Sequence, residues 1–270
     1  DGDGDGDGDG DGDGDGDPCE PGDGMGGGGM AEKSYLWVAN SDQNTISKVD
    51  TLTVVELARY RSEPQNATGD PSRTAVSADG RFVVVNNRAS GRVTAIAANL
   101  EDCVDRNNNN AIETSQNPGN ILGWAGPNVD SAQDECIVWS TVLPKSPDFI
   151  GAGPRGVTWT LGSWDYDSCS FVDPKIWVGY RPAVNVARMA RLNGTTGMLE
   201  TEVEINPWNV GDSSWGPYGA ALDYDFDTQE DFVYFTGLRG NVYRINGADN
   251  SLDQWTSPPQ TQSYGMTVDP

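Results

Sequence analysis

The 270-residue sequence contains no histidine. This absence excludes nucleophilic catalysis that relies on a histidine base, and it excludes zinc sites with histidine ligands. Catalysis by carboxylates or lysine stays open. Basic residues are also scarce, with 17 Lys and Arg against 41 Asp and Glu. Because nucleic acids and anionic membrane surfaces are bound through Lys and Arg, we expect neither of them as a partner.

Long hydrophobic runs are absent too, so the sequence predicts no transmembrane segment. No signal peptide is visible, and the first residue is Asp rather than Met, so we expect a processed start.

Cysteine is rare, and its spacing argues against metal or redox chemistry. None of the four cysteines belongs to the Cys-x-x-Cys pair that is typical of zinc or thioredoxin-like sites. Cys103 and Cys136 flank one insertion, and we expect a disulfide between them. Cys19 with Cys169 is the default remaining pair, and a free buried thiol is the alternative for either pair. Few Lys, many Asn, Gly and Trp, and these predicted disulfides favour an extracytoplasmic protein, secreted or tethered to the outer surface.

The first 24 residues are a low-complexity segment dominated by an Asp-Gly repeat. They offer almost no apolar side chain to bury, so ordering them would cost entropy without a compensating gain. Repulsion between the Asp carboxylates favours an extended chain. We therefore predict a disordered acidic tether over residues 1–30 and a folded region over residues 31–270.

A short cassette recurs along the rest of the sequence. Its copies start at Pro71, Pro154, Pro217 and Ser263. An aromatic-rich second run recurs as well, and its first copy lacks a preceding cassette. The copies of this run start at Tyr35, Phe82, Ile176 and Phe232. Repeats at this scale are typical of stacked or radially arranged units.

The repeats predict an all-β fold. Alternating apolar and polar residues between Gly, Asn and Asp turns indicate short antiparallel strands, and long amphipathic helix patterns are absent. Up to four strands per repeat predict a β-propeller of four-stranded antiparallel blades, with a β-sandwich as the alternative. Ser263 begins a fifth inner strand, so we expect a truncated chain or repeats that continue elsewhere. The predicted blades are residues 35–62, 71–147, 154–206 and 216–257.

The run over residues 35–50, YLWVANSDQNTISKVD, resembles a blade of the YVTN, NHL and virginiamycin-B-lyase-like propellers. Residues 75–86 (AVSADGRFVVVN) and 216–223 (GPYGAALD) are similar to it as well. The resemblance covers residues 35–98 and 154–270, and it implies a propeller fold. The lyase's chemistry depends on a histidine, so no catalytic residue is carried over. The combination with an Asp/Asn-rich insertion resembles secreted or surface proteins of myxobacteria and their relatives.

The insertion at residues 99–147 contains a candidate calcium loop. Aligned to an EF-hand-type loop, it places hard oxygen ligands at alternating positions, as calcium prefers. Asn110 replaces the usual Gly, and Gln116 cannot chelate as a bidentate carboxylate, so we expect a Kd of about 10⁻⁴–10⁻³ M. The alternative is a polar loop that binds no ion. The predicted ligands are Asp105, Asn107, Asn109, the carbonyl of Ala111, Glu113 and Gln116.

Two further acidic clusters occupy corresponding places in successive blades. They predict either a cation site at the rim or a pair of carboxylates for acid–base catalysis. The alternative, which we favour, is that Asp initiates turns and keeps exposed loops soluble. The clusters comprise Asp165 and Asp167 in one blade and Asp223, Asp225 and Asp227 in the next.

Nine tryptophans are many for this length. Trp37, Trp159 and Trp177 lie in strand patterns and predict core packing between blades. Four others lie near Gly, Pro or Ser, and we expect them to pack loops, with exposure on a binding face as the alternative. These are Trp124, Trp164, Trp208 and Trp215.

Together these features favour a propeller that serves as a binding scaffold, with calcium stabilising the insertion. Loops on one propeller face would contact a protein or a carbohydrate. One alternative is a lyase- or lactonase-like enzyme with its site at the central channel, where the candidates are Arg155, Asp165, Asp223 and Asp225. A second alternative is a purely structural surface protein with the blades as spacers.

Overall fold

The computed structural model describes residues 33–208, 215–256 and 263–269. The predicted tether over residues 1–30 and Cys19 lie outside these ranges, and Cys169 is disulfide-bonded. Within the described ranges, no helix is long and apolar enough to cross a membrane. Short 3-10 helices span Ser41–Gln43, Leu100–Asp102, Val129–Ser131 and Ile150–Ala152. The strands are β1 (Tyr35–Asn40), β2 (Thr45–Asp50), β3 (Val55–Arg61), β4 (Pro71–Val76), β5 (Phe82–Asn87), β6 (Arg92–Ala97), β7 (Ile137–Val142), β8 (Val157–Trp159), β9 (Ser163–Asp165), β10 (Ser170–Val172), β11 (Lys175–Ala183), β12 (Val186–Asn193), β13 (Leu199–Ile205), β14 (Gly219–Asp225), β15 (Glu230–Thr236), β16 (Val242–Asn246) and β17 (Leu252–Trp255).

Three four-stranded antiparallel sheets follow one another along the chain. Their strand orders are β4-β5-β6-β7, β8-β11-β12-β13 and β14-β15-β16-β17. A three-stranded sheet, β1-β2-β3, precedes them, and β9 with β10 forms a separate hairpin. The short first sheet agrees with the sequence, in which the run at Tyr35 lacks a cassette. Successive antiparallel four-stranded sheets are the blades of a β-propeller, so the predicted fold class is confirmed.

The first strand of each four-stranded sheet lies beside the first strand of the next sheet. The backbone N–H of Gly156, just before β8, donates to the carbonyl of Pro217, just before β14, at 3.0 Å. Strand β4 also lies beside β8. A Cβ atom placed on Gly219 would lie 3.4 Å from Gly265, so the residues around Gly265 lie beside β14. Residues 263–269 form no strand, so the predicted fifth inner strand is not formed in the described part of the chain. The starts of these strands therefore surround one end of a central channel.

Apolar side chains fill the spaces between neighbouring sheets. Trp37 packs where the first sheet meets the second, Trp159 where the second meets the third, and Trp177 where the third meets the fourth. All three are buried, which confirms their predicted place in the core. Trp124 and Trp208 are buried as well, so they pack loops rather than face a ligand.

The insertion covers the first two sheets. The Cys103–Cys136 disulfide joins its ends. At its centre, Trp124 is buried in the core cluster that the first two sheets share. The carbonyl of Trp124 accepts the backbone N–H of Gln65 at 2.9 Å, which ties the insertion to the segment after β3. The insertion therefore fastens the first blade to the second.

The end of the predicted insertion belongs to the second blade. Residues 137–142 form β7, the fourth strand of that sheet, and pair with β6. Ile137 and Trp139 alternate toward the buried face, which is the pattern of a half-buried strand. The insertion therefore ends near Cys136 rather than at residue 147.

Gly153 lies where the chain enters the third blade, against the turn between β5 and β6. A Cβ atom at this position would overlap the backbone carbonyl of Arg88, which cannot move aside as a flexible side chain would. We predict that Gly153→Ala lowers the free energy of unfolding by about 3 kcal/mol, the upper range for overpacking. Urea unfolding followed by circular dichroism measures this loss.

The matched control is Gly265→Ala, because a Cβ atom there meets no described atom within 4 Å. Equal unfolding free energies for the two variants would contradict the close approach at Gly153.

Candidate functional site

A row of packed aromatic rings lies where the third and fourth blades meet. The β9–β10 hairpin, inserted between β8 and β11, pairs Trp164 with Phe171. Their ring centroids are 5.0 Å apart in an edge-to-face contact, and Phe171 meets Tyr224 of β14 in the same way at 5.4 Å. Tyr224 contacts Phe226 at 4.9 Å. These contacts couple the hairpin of the third blade to the inner strand of the fourth.

Two rings of this region project into solvent. Tyr166, at the tip of the hairpin, is 54% exposed, and Phe226, in the turn after β14, is 46% exposed. Rigid aromatic side chains offer a large contact area at a small entropy cost, which suits a binding surface. We call these five residues the aromatic ridge: Trp164, Tyr166, Phe171, Tyr224 and Phe226.

The predicted acidic clusters cap the two turns of the ridge. Asp165 accepts the hydroxyl of Ser168 at 2.6 Å and the N–H of Asp167 at 3.2 Å. These bonds hold the pKa of Asp165 below its ordinary value. The pKa of Asp225 is lowered in the same way, by N–H bonds of 3.1 and 2.9 Å from Thr228 and Asp227. Asp165 and Asp225 thus have the turn-initiating geometry that Asp favours.

A cleft of about 320 Å³ lies between the third and fourth blades, beside the ridge. Gln229 lines it and donates from Nε2 to the hydroxyl of Tyr166 at 2.9 Å, which joins cleft and ridge. Lys175 bridges Asp173 and Glu200 at 2.8 and 2.7 Å, so ion pairs fix these side chains. We call this the interblade cleft; its polar walls include Asp173, Lys175, Arg191, Glu200, Gln229 and Asp231.

Asp231 is a half-buried acid in the wall of this cleft, and its Oδ1 atom is buried. Its Oδ1 atom has no hydrogen-bond partner among the described residues. Burial raises the pKa of the carboxyl to about 6, although bonds from Thr160 and Leu161 oppose the rise. The folded protein therefore binds this proton more tightly than the unfolded chain does.

The predicted calcium loop brings four of its candidate ligands together. Asp105 accepts the N–H groups of Asn109 and Asn110 at 3.2 and 2.9 Å. The amide nitrogens of Asn109 and Asn107 each donate to Glu113 at 2.8 Å. These two bonds hold the pKa of Glu113 below its ordinary value. Asp105, Asn107, Asn109 and Glu113 therefore share one small turn.

The other two candidate ligands differ in their placement. Ala111 belongs to the same turn and donates its N–H to Oδ1 of Asn109 at 2.8 Å. Gln116 is exposed, and the N–H of the residue before it donates to the buried Asp134 at 2.9 Å. Within the described ranges, no group of three or more His, Cys, Asp or Glu side chains could hold a metal ion. A cation at this loop would therefore need amide and carbonyl oxygens in addition to the carboxylates of Asp105 and Glu113.

Glu135 supports the predicted calcium loop. The spacing pattern of the loop did not predict this role of Glu135. Its buried carboxylate accepts the N–H groups of Arg106 and Glu113 at 2.8 and 3.0 Å. The signal that could have found it is its position beside Cys136, because the disulfide with Cys103 returns this residue to the start of the loop.

The candidates of the channel-enzyme alternative lie at different ends of the inner strands. Arg155 precedes β8, whereas Asp165 lies in the hairpin that follows β8. Asp223 and Asp225 lie in the last part of β14. Among the ion pairs of the described residues, none joins Arg155 to these acids. The basic and acidic candidates are therefore not placed together.

No protein-family model matches this sequence, and no curated protein matches it. Among solved structures, hydrazine synthase of Kuenenia stuttgartiensis aligns at 14% identity over 82% of this chain and 51% of its own, with a TM-score of 0.45. The Dos1 propeller aligns at 13% identity over 87% and 47%, with a TM-score of 0.45. The WD40 domain of SCAP from fission yeast aligns at 8% identity over 85% and 43%, with a TM-score of 0.38. This chain thus spans about half the length of the structures that it matches.

We predict that pH controls how Asp231→Asn affects stability. The pKa of Asp231 in the folded state, about 6, exceeds the ordinary value of 3.8, so the stability of the wild type falls as pH rises between these values. Asn cannot ionise and avoids this loss. Relative to that of the wild type, the free energy of unfolding of the variant should therefore rise by up to about 3 kcal/mol between pH 4 and pH 7. Urea unfolding at a series of pH values measures the difference.

Asp225→Asn is the control with the opposite sign. Because the pKa of Asp225 is lowered in the folded state, this variant should lose stability relative to the wild type as pH rises. A gain for Asp231→Asn that does not change with pH would show that burial of Asp231 does not penalise its charge.

Proposed function

We propose that this protein is a β-propeller binding scaffold that acts outside the cytoplasm and binds a carbohydrate where its third and fourth blades meet. The observation that carries the proposal is the hydrogen bond between Tyr166 of the aromatic ridge and Gln229 of the interblade cleft. It places exposed aromatic rings directly beside a polar cleft. A sugar has apolar ring faces and hydroxyl edges, so it fits a site that offers both kinds of contact.

The chemistry of the interblade cleft supports a sugar as the ligand. Its volume of about 320 Å³ falls in the range of small-molecule sites. Lys175 and Arg191 supply hydrogen-bond donors, and Asp173 and Glu200 supply acceptors. Their ion pairs, between 2.7 and 3.2 Å long, hold these groups in place before a ligand arrives. Preorganised groups of this kind lower the entropy cost of binding.

A protein is the alternative partner, since the aromatic ridge alone would suit it. Charged residues are usually depleted at the centre of a protein interface, whereas the interblade cleft is lined mainly by charged residues. This composition favours the carbohydrate.

A non-catalytic role at the central channel is supported by two observations. The sequence has no histidine, so the usual general base is missing. Arg155 precedes β8, while the carboxylates proposed to act with it lie beyond β8 and in the last part of β14.

The Cys103–Cys136 disulfide supports an oxidising compartment outside the cytoplasm.

We also propose that calcium stabilises the insertion. Asp105 and Glu113 supply negative charge. The Oδ1 atoms of Asn107 and Asn109 each accept one backbone N–H, at 3.0 and 2.8 Å, and each keeps a second lone pair that a cation could use. Because the insertion fastens the first blade to the second, the cation would stiffen the scaffold rather than act in chemistry.

We predict that the full chain binds a subset of oligosaccharides on a glycan array and that Tyr166→Ala weakens this binding about tenfold, as the loss of an aromatic anchor does. Titration of the wild type and the variant with the selected oligosaccharide measures the change. Trp255→Ala is the matched control. Trp255 is 45% exposed, but it lies at the end of β17 that is remote from the cleft.

Binding to no oligosaccharide would contradict the carbohydrate proposal. Equal weakening by Tyr166→Ala and Trp255→Ala would contradict the assigned site.

We predict that Ca²⁺ binds the full chain with a Kd of about 10⁻⁴–10⁻³ M in titration calorimetry. Glu113→Gln should abolish the heat, because it removes one of two charged ligands. Asp165→Asn should preserve it, since Asp165 caps a comparable turn on another blade. A wild-type chain that gives no heat at millimolar Ca²⁺ would refute the calcium site.

A further inference from the structure

A second pocket, of about 350 Å³, lies at the channel end that the starts of the inner strands form. No Asp or Glu of the described residues lines it, although the chain has 41 acids and 17 bases. The pocket is therefore cationic in an acidic protein. We call it the channel-end pocket; its polar side chains are Arg73, Thr74, Arg155, Tyr218 and Tyr264.

Arg155 is buried in the wall of this pocket, and no described residue supplies it with a counter-ion. The residue is 2% exposed, and its Nε and Nη1 atoms have no hydrogen-bond partner among the described residues. The ion pairs formed within the described ranges include neither Arg155 nor Arg73. A buried charge without a partner is costly, and a ligand of opposite charge would offset that cost.

Arg155 stays cationic despite its burial. Burial, followed by the positive charges of Arg88 and Arg73, lowers its pKa to about 10, which is still well above neutral pH. The side chain therefore presents hydrogen-bond donors that carry a full positive charge.

Neighbouring strands hold Arg155 in place. Its backbone N–H donates to the carbonyl of Gly179 at 3.0 Å, and its carbonyl accepts Nδ2 of the buried Asn86 at 3.1 Å. The ring of Tyr218 lies near both guanidinium groups, 4.1 Å from Cζ of Arg155 and 5.2 Å from Cζ of Arg73. Two cations are thus fixed around one aromatic ring.

Stacking on aromatic rings does not by itself explain the missing counter-ion. Arg244 on the fourth blade also lies over two rings, those of Phe232 and Trp255, at 4.8 and 5.5 Å. It nevertheless forms an ion pair with Asp253 at 2.5 Å. A stacked arginine elsewhere in the same chain is therefore balanced by a carboxylate, whereas no carboxylate of the described ranges balances Arg155.

We propose that the channel-end pocket binds a small organic oxyanion, either a carboxylate or a phosphate ester, through Arg155 and Arg73. The anion supplies acceptors for the buried N–H donors of Arg155. The pocket is large enough for more than the anionic group, so the body of the ligand lies along Tyr218 and Val157. This site is separate from the interblade cleft, and its test does not depend on the carbohydrate proposal.

Titration calorimetry of the full chain at low ionic strength tests the proposal with three probes. Benzoate carries a carboxylate, phenyl phosphate carries a phosphate ester, and benzamide is the neutral analogue of benzoate. We expect saturable binding of at least one anion and no binding of benzamide. The tighter anion identifies the group that the pocket prefers.

Arg155→Met and Arg73→Met should each weaken anion binding about tenfold or more, because each removes a charge-assisted contact. Arg73 is only half-buried, so its variant keeps the test decisive if Arg155→Met does not fold. Arg244→Met removes a stacked, ion-paired arginine and should leave anion binding unchanged.

Three results would overturn the proposal. The first is that benzamide binds as tightly as the anions. The second is that the folded Arg73→Met and Arg155→Met variants bind the anions as tightly as the wild type does. The third is that neither anion gives saturable heat up to about 10 mM.

Discussion

Each blade of this propeller has two faces to cover and no interior of its own, so the fold depends on packing between neighbouring sheets. Trp177 shows how this packing works. It lies on β11 of the third blade, yet its ring is buried in the cluster that includes Phe235 of the fourth. Removing water from such faces is the largest favourable contribution to folding. The sheets consequently set the positions of every turn and strand end that could bind a ligand.

This packing gives the inner strands two chemically different ends. At their starts, Arg73 and Arg155 converge around Tyr218, and no described carboxylate lines the pocket. Beyond their ends, a hairpin and a turn carry aromatic rings beside a cleft of mixed charge. The insertion lies apart from both, over the first two blades. One scaffold therefore separates a cationic pocket, a candidate sugar site and a candidate calcium loop.

The sequence was sufficient to predict the blades, because the cassettes mark inner strands and the aromatic runs mark their partners. Local spacing also predicted the turn that joins Asp105 to Glu113, since the bonds among its candidate ligands lie within nine residues, whereas its support by Glu135 comes from a distant part of the chain. The β9–β10 hairpin escaped prediction because its strands, of three residues each, are too short to show alternation. The bond between Tyr166 and Gln229 spans 63 residues, and only the packing of two blades brings these side chains together.

A carbohydrate bound at the aromatic ridge and the interblade cleft would shield the backbone amides that it covers. Amide hydrogen exchange reports this shielding, with the full chain measured alone and saturated with an oligosaccharide selected by the array. Exchange should slow in the β9–β10 hairpin and in residues 226–231, which line the proposed site, and should be unchanged in the insertion. Slower exchange confined to other blades, or no change at saturation, would contradict carbohydrate binding at this site.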